Sequence, residues 1–187
     1  MAVLPPRVPL LLDANVIIDL VKLGVLADVV RLSRYEPLVT PVVKCEVHRP
    51  EQAAALAAAI AAGAIGEVGL ESTEEQALMT PIATAIGPGD AECLAAASYR
   101  GGMLASDEST RKFMREARRL IGEERLVRLH SLLVEVVASG LVTMERLRNA
   151  VAALATTAAS SRDRDDVEHL ERVLAIVEGI VGARSCE

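Results

Sequence analysis

Four acidic residues in this chain follow or open segments that a sheet could bring to one edge. Asp13 ends the apolar run Leu10-Leu11-Leu12, and Asp107 ends the run Met103-Leu104-Ala105-Ser106. Glu46 lies in a segment that begins at Pro41, and Asp90 follows the breaker Gly87-Pro88-Gly89. Carboxylates gathered together repel and desolvate one another, and a bound divalent cation is the usual reason for tolerating that. Hard oxygen donors with no His or Cys among them favour Mg²⁺ or Mn²⁺ over zinc. Taken singly, each acid has a plainer reading: Asp13, Asp90 and Asp107 as helix caps, and Glu46 as a solvated helix residue.

The convergence requires a particular set of elements. Leu10-Leu11-Leu12 has no polar alternation, which reads as a strand covered on both faces, as in the centre of a parallel sheet. Pro37 to Pro41, Glu67 to Leu70, Met103 to Ser106 and Leu126 to Leu129 read as further short strands. Helical segments separate them. Val16, Ile17, Leu20 and Val21 recur at helical spacing after Asp13, with Asp19 read on the exposed side, and a second helix is expected from Val25 to Ser33. Val42, Val43 and Glu46 fall on another helix, and Pro50 to Ala62 is an Ala-rich one with its proline in the first turn. Ser72 with Glu75 is a capping-box pair for a helix towards Ile86, expected to be kinked or interrupted at Pro81. Asp90 is expected to open a helix to Tyr99 that buries Ala95, Ala96 and Ala97, and a basic helix from Ser109 to Leu120 follows Asp107. Strands alternating with helices in this way define an α/β domain with a parallel sheet and right-handed crossovers. Ligands of such sheets bind at the carboxyl ends of the strands, where all four acids fall.

Beyond Ser131 the sequence is helical, with segments to Ala138, from Thr143 to Ala155 and, after the link Ala158 to Arg162, a last helix. Met144, Leu147, Val151 and Leu154 share one face, as do Val167, Leu170, Val173, Leu174, Val177, Ile180 and Val181. Such stripes must be buried on the domain or on another copy, so a homodimer is expected. The domain boundary is placed at about residue 140, with residues 141–187 as a helical extension.

Composition narrows the function classes. The chain is 187 residues long and 51% hydrophobic, but carries one Phe, two Tyr and no Trp, which disfavours binding of bases by aromatic stacking. A net charge of -6 argues against broad attraction to nucleic acid, though a local basic strip is compatible with it. Arg111, Lys112, Arg115, Arg118 and Arg119 form such a strip; it reads either as a solvated face paired with Glu108 and Glu116, or as a track for phosphates. Cys45, Cys93 and Cys186 are odd in number and form no C-x-x-C pair, so they read as reduced thiols of a cytoplasmic protein. His48, His130 and His169 are scattered and suit surface or capping roles. No segment reads as an export signal or a membrane span.

Four stretches together resemble the acidic motifs of PIN-domain ribonucleases, a family that includes the VapC-like toxins of prokaryotic toxin-antitoxin pairs: Leu-Leu-Asp-Ala-Asn-Val-Ile-Ile-Asp-Leu (11–20), Pro-Val-Val-Lys-Cys-Glu-Val (41–47), Gly-Asp-Ala-Glu-Cys-Leu-Ala-Ala-Ala (89–97) and Leu-Ala-Ser-Asp (104–107). The resemblance covers roughly the first 130 residues. It implies a three-layer α/β/α fold with a five-stranded parallel sheet in the order 3-2-1-4-5. It also implies metal-dependent hydrolysis of RNA. Asp13, Glu46, Asp90 and Asp107 match the family's acids, Asn15 its small polar position near the first acid, and Ser106 the Ser or Thr before the last. Glu92 matches an additional acid of some members, and the helical tail departs from the shorter toxins.

These matches lead to a specific expectation: a Mg²⁺- or Mn²⁺-dependent ribonuclease, a toxin with an antitoxin partner, leaving a 5′-phosphate and a 3′-hydroxyl. Asp13 and Asp107 are expected as the strongest metal ligands, with Asp90 and Glu46 binding directly or through water, and Arg111, Lys112 and Arg115 on RNA phosphates. The alternative is a catalytically silent PIN-like scaffold that binds RNA or protein through its tail. A haloacid-dehalogenase-like phosphatase is a third reading, but it wants Asp-x-Asp where this chain has Asp13-Ala14-Asn15.

Overall fold

The computed structural model describes residues 7–184. The chain folds into two compact units. Of the described residues, one unit comprises 7–18 together with Ser33–Val127, and the other comprises Asp19–Leu32 and 128–184. The division falls at three places in the chain.

The first unit is α/β. Strands β1 (Val8–Leu12), β2 (Tyr35–Val39), β3 (Gly66–Glu67), β4 (Met103–Ala105) and β5 (Leu126–Val127) form one sheet in the order β3-β2-β1-β4-β5, and every pairing is parallel. Leu10, Leu11 and Leu12 are each fully buried, as the unbroken apolar run requires of a central strand. The ladders continue one residue past the strands: the amide of Asp13 donates to the Ala105 carbonyl and that of Ser106 to the Val127 carbonyl. Asp13 and Ser106 are thereby fixed side by side at the carboxyl edge.

Helix α1 (Ala14–Lys22) follows β1, and its residues are shared between the two units. Within the first unit follow α3 (Pro41–Glu46), α4 (Pro50–Ala61), α5 (Thr73–Ile86), α6 (Pro88–Tyr99) and α7 (Arg111–Leu120); α2 (Leu26–Val29) belongs to the second. Helix α6 is the buried one. It packs on α3, α5, α7, β1 and β4, and Ala91 and Cys93 through Ala97 are wholly inaccessible; apart from Leu94 these are small side chains, which allow a close approach. A single residue, Gly87, joins α5 to α6. Its φ of 96° and ψ of 158° suit only glycine, and Pro88 then occupies the first helical position. Asp90 is accordingly the third residue of α6 rather than its opening residue.

Other boundaries also differ from the sequence reading. Helix α5 is not interrupted at Pro81; the proline is exposed, which leaves the lost backbone bond on the solvent side. The second helix is cut to four residues, because the amides of Arg31 and Leu32 turn back to carbonyls three residues earlier and tighten the chain. Strand β3 is confined to Gly66–Glu67, and β5 ends at Val127 because Leu129 already begins a helix.

In the second unit, α8 (Leu129–Ala138), α9 (Met144–Thr157) and α10 (Ser161–Arg184) pack together, and Val167, Leu170, Val173 and Val177 of α10 are buried within one chain. Asp19 is buried rather than exposed. Its carboxylate lies 3.4 Å from Lys22 and 3.4 Å from the His169 imidazole, and Lys22 also pairs with Asp166 at 2.8 Å. Arg146 ties α9 to Asp28 at 3.0 Å. No described helix is long and apolar enough to cross a membrane. Cys45 is exposed and Cys93 buried, both as free thiols, and Cys186 lies outside the described residues.

Candidate active site

Asp13 is 4% exposed at the end of β1. One carboxylate oxygen, Oδ1, accepts the Ala14 amide at 2.7 Å, and Oδ2 accepts a long 3.4 Å bond from the Ser106 hydroxyl. Ser106 in turn accepts the Glu108 amide at 3.1 Å, which leaves its proton directed at Asp13. Burial pushes the Asp13 carboxyl up to about 6 against the pull of the Ala14 amide, and the charge of Glu46 adds to the rise. The Asn15 amide opposes it. The Asn15 residue itself is exposed in the first turn of α1.

Glu46 is the last residue of α3. Its carboxylate lies against Gly89: a Cβ at that position would stand 2.6 Å from both Oε1 and Oε2, so only a glycine leaves room for it. Burial raises the Glu46 carboxyl, and Glu92 raises it further. Asp90, one residue beyond Gly89, is pushed up to about 7 by burial, then by the charges of Asp13, Glu108 and Glu46. Three of the four expected acids, Asp13, Glu46 and Asp90, thus act on one another electrostatically although they come from three separate stretches of chain.

Asp107 follows Ser106 in the loop after β4 and belongs to this edge by its backbone position. Glu92 is 7% exposed, and its Oε2 accepts the Val42 amide at 3.0 Å. Among the described residues, no three carboxylate, imidazole or thiol groups form a closed ligand set for a metal as they stand. The donor chemistry nevertheless fits a hard divalent cation: Asp13, Glu46 and Asp90 have carboxyls raised first by burial and then by neighbouring carboxylates, with no imidazole or thiolate among them. The buried Cys93 thiol is pushed further up by burial and by Asp13 and Asp90, so it stays protonated and is no nucleophile.

Glu108 does not stand out for the site in the sequence, where it reads as a partner for the basic helix. Its Oε1 accepts the Ser109 and Thr110 amides at 2.8 and 2.7 Å, and its charge bears on Asp90. The signal that could have found it is its place between Asp107 and Thr110, whose hydroxyl caps α7. On α7, Arg115 and Arg119 each bond the buried Glu116 at 2.9 Å, and Arg118 bonds Glu123 at 3.0 Å. These bonds hold the Glu116 carboxyl below its usual range despite burial. Arg111 and Lys112 are exposed and make no ion pair with a described residue.

No family model matches the chain, and no curated protein matches it.

Proposed function

We propose that the protein is a Mg²⁺- or Mn²⁺-dependent ribonuclease of the PIN-like kind. The observation that carries this reading is that three acids from separate stretches meet a parallel sheet in the order 3-2-1-4-5: Asp13 ends β1, the Glu46 carboxylate lies against Gly89, and Asp90 follows Gly89 on α6, which packs on β1. Asp13, Asp90, Asp107 and Glu46 would hold the cation. When bound, it supplies an acidified water and neutralises charge on the phosphoryl oxygens. Ser106 orients Asp13 through its hydroxyl proton. Arg111 and Lys112 meet RNA phosphates, whereas Arg115 is engaged with Glu116 and serves the fold first.

Within this reading the protein is a cytoplasmic toxin restrained by an antitoxin, acting as a homodimer. Substituting Asp13→Ala or Asp90→Ala is expected to abolish metal-dependent cleavage of RNA, and activity like that of the wild type in either variant would refute the assignment. The second reading, a silent scaffold that binds RNA or protein, draws on the net charge of -6 and the helical second unit. Calorimetry with Mn²⁺ separates the two, since the scaffold has no reason to bind it.

A further inference from the structure

Helix α3 is six residues long and carries Glu46 at its far end, so whatever fixes its first turn also fixes that carboxylate. Its first-turn amides are sparsely satisfied from within. Pro41 has no N–H, and the amide of Val43 reaches the Thr40 hydroxyl only at 3.4 Å. The amide of Val42 is instead bonded at 3.0 Å by Glu92, a charged acceptor at a helix N-terminus, where a negative group is most favourable. Glu92 is 7% exposed and lies 50 residues further along the chain, on α6. Three residues before it on the same helix, Gly89 supports the Glu46 carboxylate. Residues three apart share a helix face, so α6 grips both ends of α3 with one face.

We infer that Glu92 is a positioning residue: it anchors the N-terminus of α3 and thereby sets the Glu46 carboxylate against Gly89, rather than ligating a cation itself. The inference rests on the ribonuclease reading for its catalytic consequence, and on the Val42 bond alone for its structural one.

The two variants Glu92→Gln and Glu92→Ala distinguish the roles. Glutamine keeps an acceptor for the Val42 amide, so kcat for RNA cleavage is expected to stay within about threefold of the wild type, with Mn²⁺ affinity similarly retained. Alanine removes the acceptor, and kcat is expected to fall at least tenfold at unchanged KM. A ligand role predicts that Glu92→Gln is as damaged as Glu92→Ala, and that result overturns the inference, as does full activity in Glu92→Ala. If Glu92→Ala does not fold, Glu92→Gln and Glu92→Asp decide together: retained kcat with glutamine and lost kcat with aspartate, whose shorter carboxylate does not reach Val42, support positioning, whereas lost kcat with glutamine or full kcat with aspartate overturns it. Should the wild type fail to cleave RNA, the ribonuclease reading falls, and hydrogen exchange at the Val42 amide judges Glu92 separately. Exchange at least tenfold faster in Glu92→Ala than in the wild type or Glu92→Gln supports the anchor; equal rates contradict it.

Discussion

Gly89 and the Glu46 carboxylate occupy space that a single methyl group would deny to one of them: a Cβ at residue 89 would meet both Glu46 oxygens at 2.6 Å. Gly89→Ala is therefore expected to displace Glu46, the far end of a flexible side chain, and leave the backbone in place. Alanine is the better helix former by up to about 1 kcal/mol, so the melting temperature should hold or rise. RNA cleavage should fall at least tenfold. Cleavage at the level of the wild type would show that Glu46 does not need this position.

The buried acids also set a pH dependence of stability. The folded state holds protons on Asp13 up to about pH 6 and on Asp90 up to about pH 7, whereas an unfolded aspartate releases its proton near 3.8. Between those limits the folded form binds more protons than the unfolded one, so stability falls as pH rises. Glu75, clamped by the Ser72 and Glu71 amides and Arg100, and Glu116 have lowered carboxyls and reverse the slope only below their ordinary 4.5. In EDTA, the melting temperature is expected to decline from pH 4.5 to pH 8. For Asp13 alone the loss is on the order of 2 kcal/mol. A melting temperature that rises across this interval would contradict the assigned electrostatics.

Asp90→Asn tests the same repulsion from the other side. Without its charge, the cost of burying it is relieved first, and then the repulsion from Asp13, Glu108 and Glu46. In EDTA at pH 7.5 the variant should be more stable than the wild type by about 1 kcal/mol, a few degrees in melting temperature for a chain of this length. It should also be inactive. Stability gained by losing a functional charge is the expected trade at a strained site; an unchanged or lower melting temperature would count against it.

The basic helix divides into two functions. Arg119→Ala leaves the buried Glu116 with Arg115 alone and is expected to cost stability with little change in the salt dependence of RNA binding. Replacing Arg111 and Lys112 together by alanine should leave the melting temperature unchanged and lower the slope of log K against log salt by about 1 to 2. The reverse pattern would assign the phosphate contacts to the wrong residues.

The sheet is legible in the sequence because its strands announce themselves. Leu10-Leu11-Leu12 lacks alternation, and the acid after it marks where the strand must end; the order of alternating strands and helices then leaves few topologies. Asp13, Glu46 and Asp90 are legible for the same reason, as residues at strand or helix junctions. What local pattern does not supply is partnership across the chain. Asp19 shares its helix with apolar neighbours and reads as solvent-facing, yet it is buried against Lys22 and His169. Glu92 resembles one more acid of the cluster, and only its bond to Val42 separates anchor from ligand. Gly89 reads as a breaker, whereas its missing side chain is what admits Glu46. Pro81 misleads in the opposite direction, because an exposed proline can sit within a helix that tertiary packing holds together.

The most direct measurement is a crystal of the protein soaked in Mn²⁺, with anomalous scattering used to locate the ion. A peak bounded by Asp13 and Asp90, within reach of Glu46 or Asp107, is the expected result. Well-ordered crystals at saturating Mn²⁺ with no peak among these carboxylates, or with the ion bound only elsewhere, would contradict the proposed metal-dependent ribonuclease.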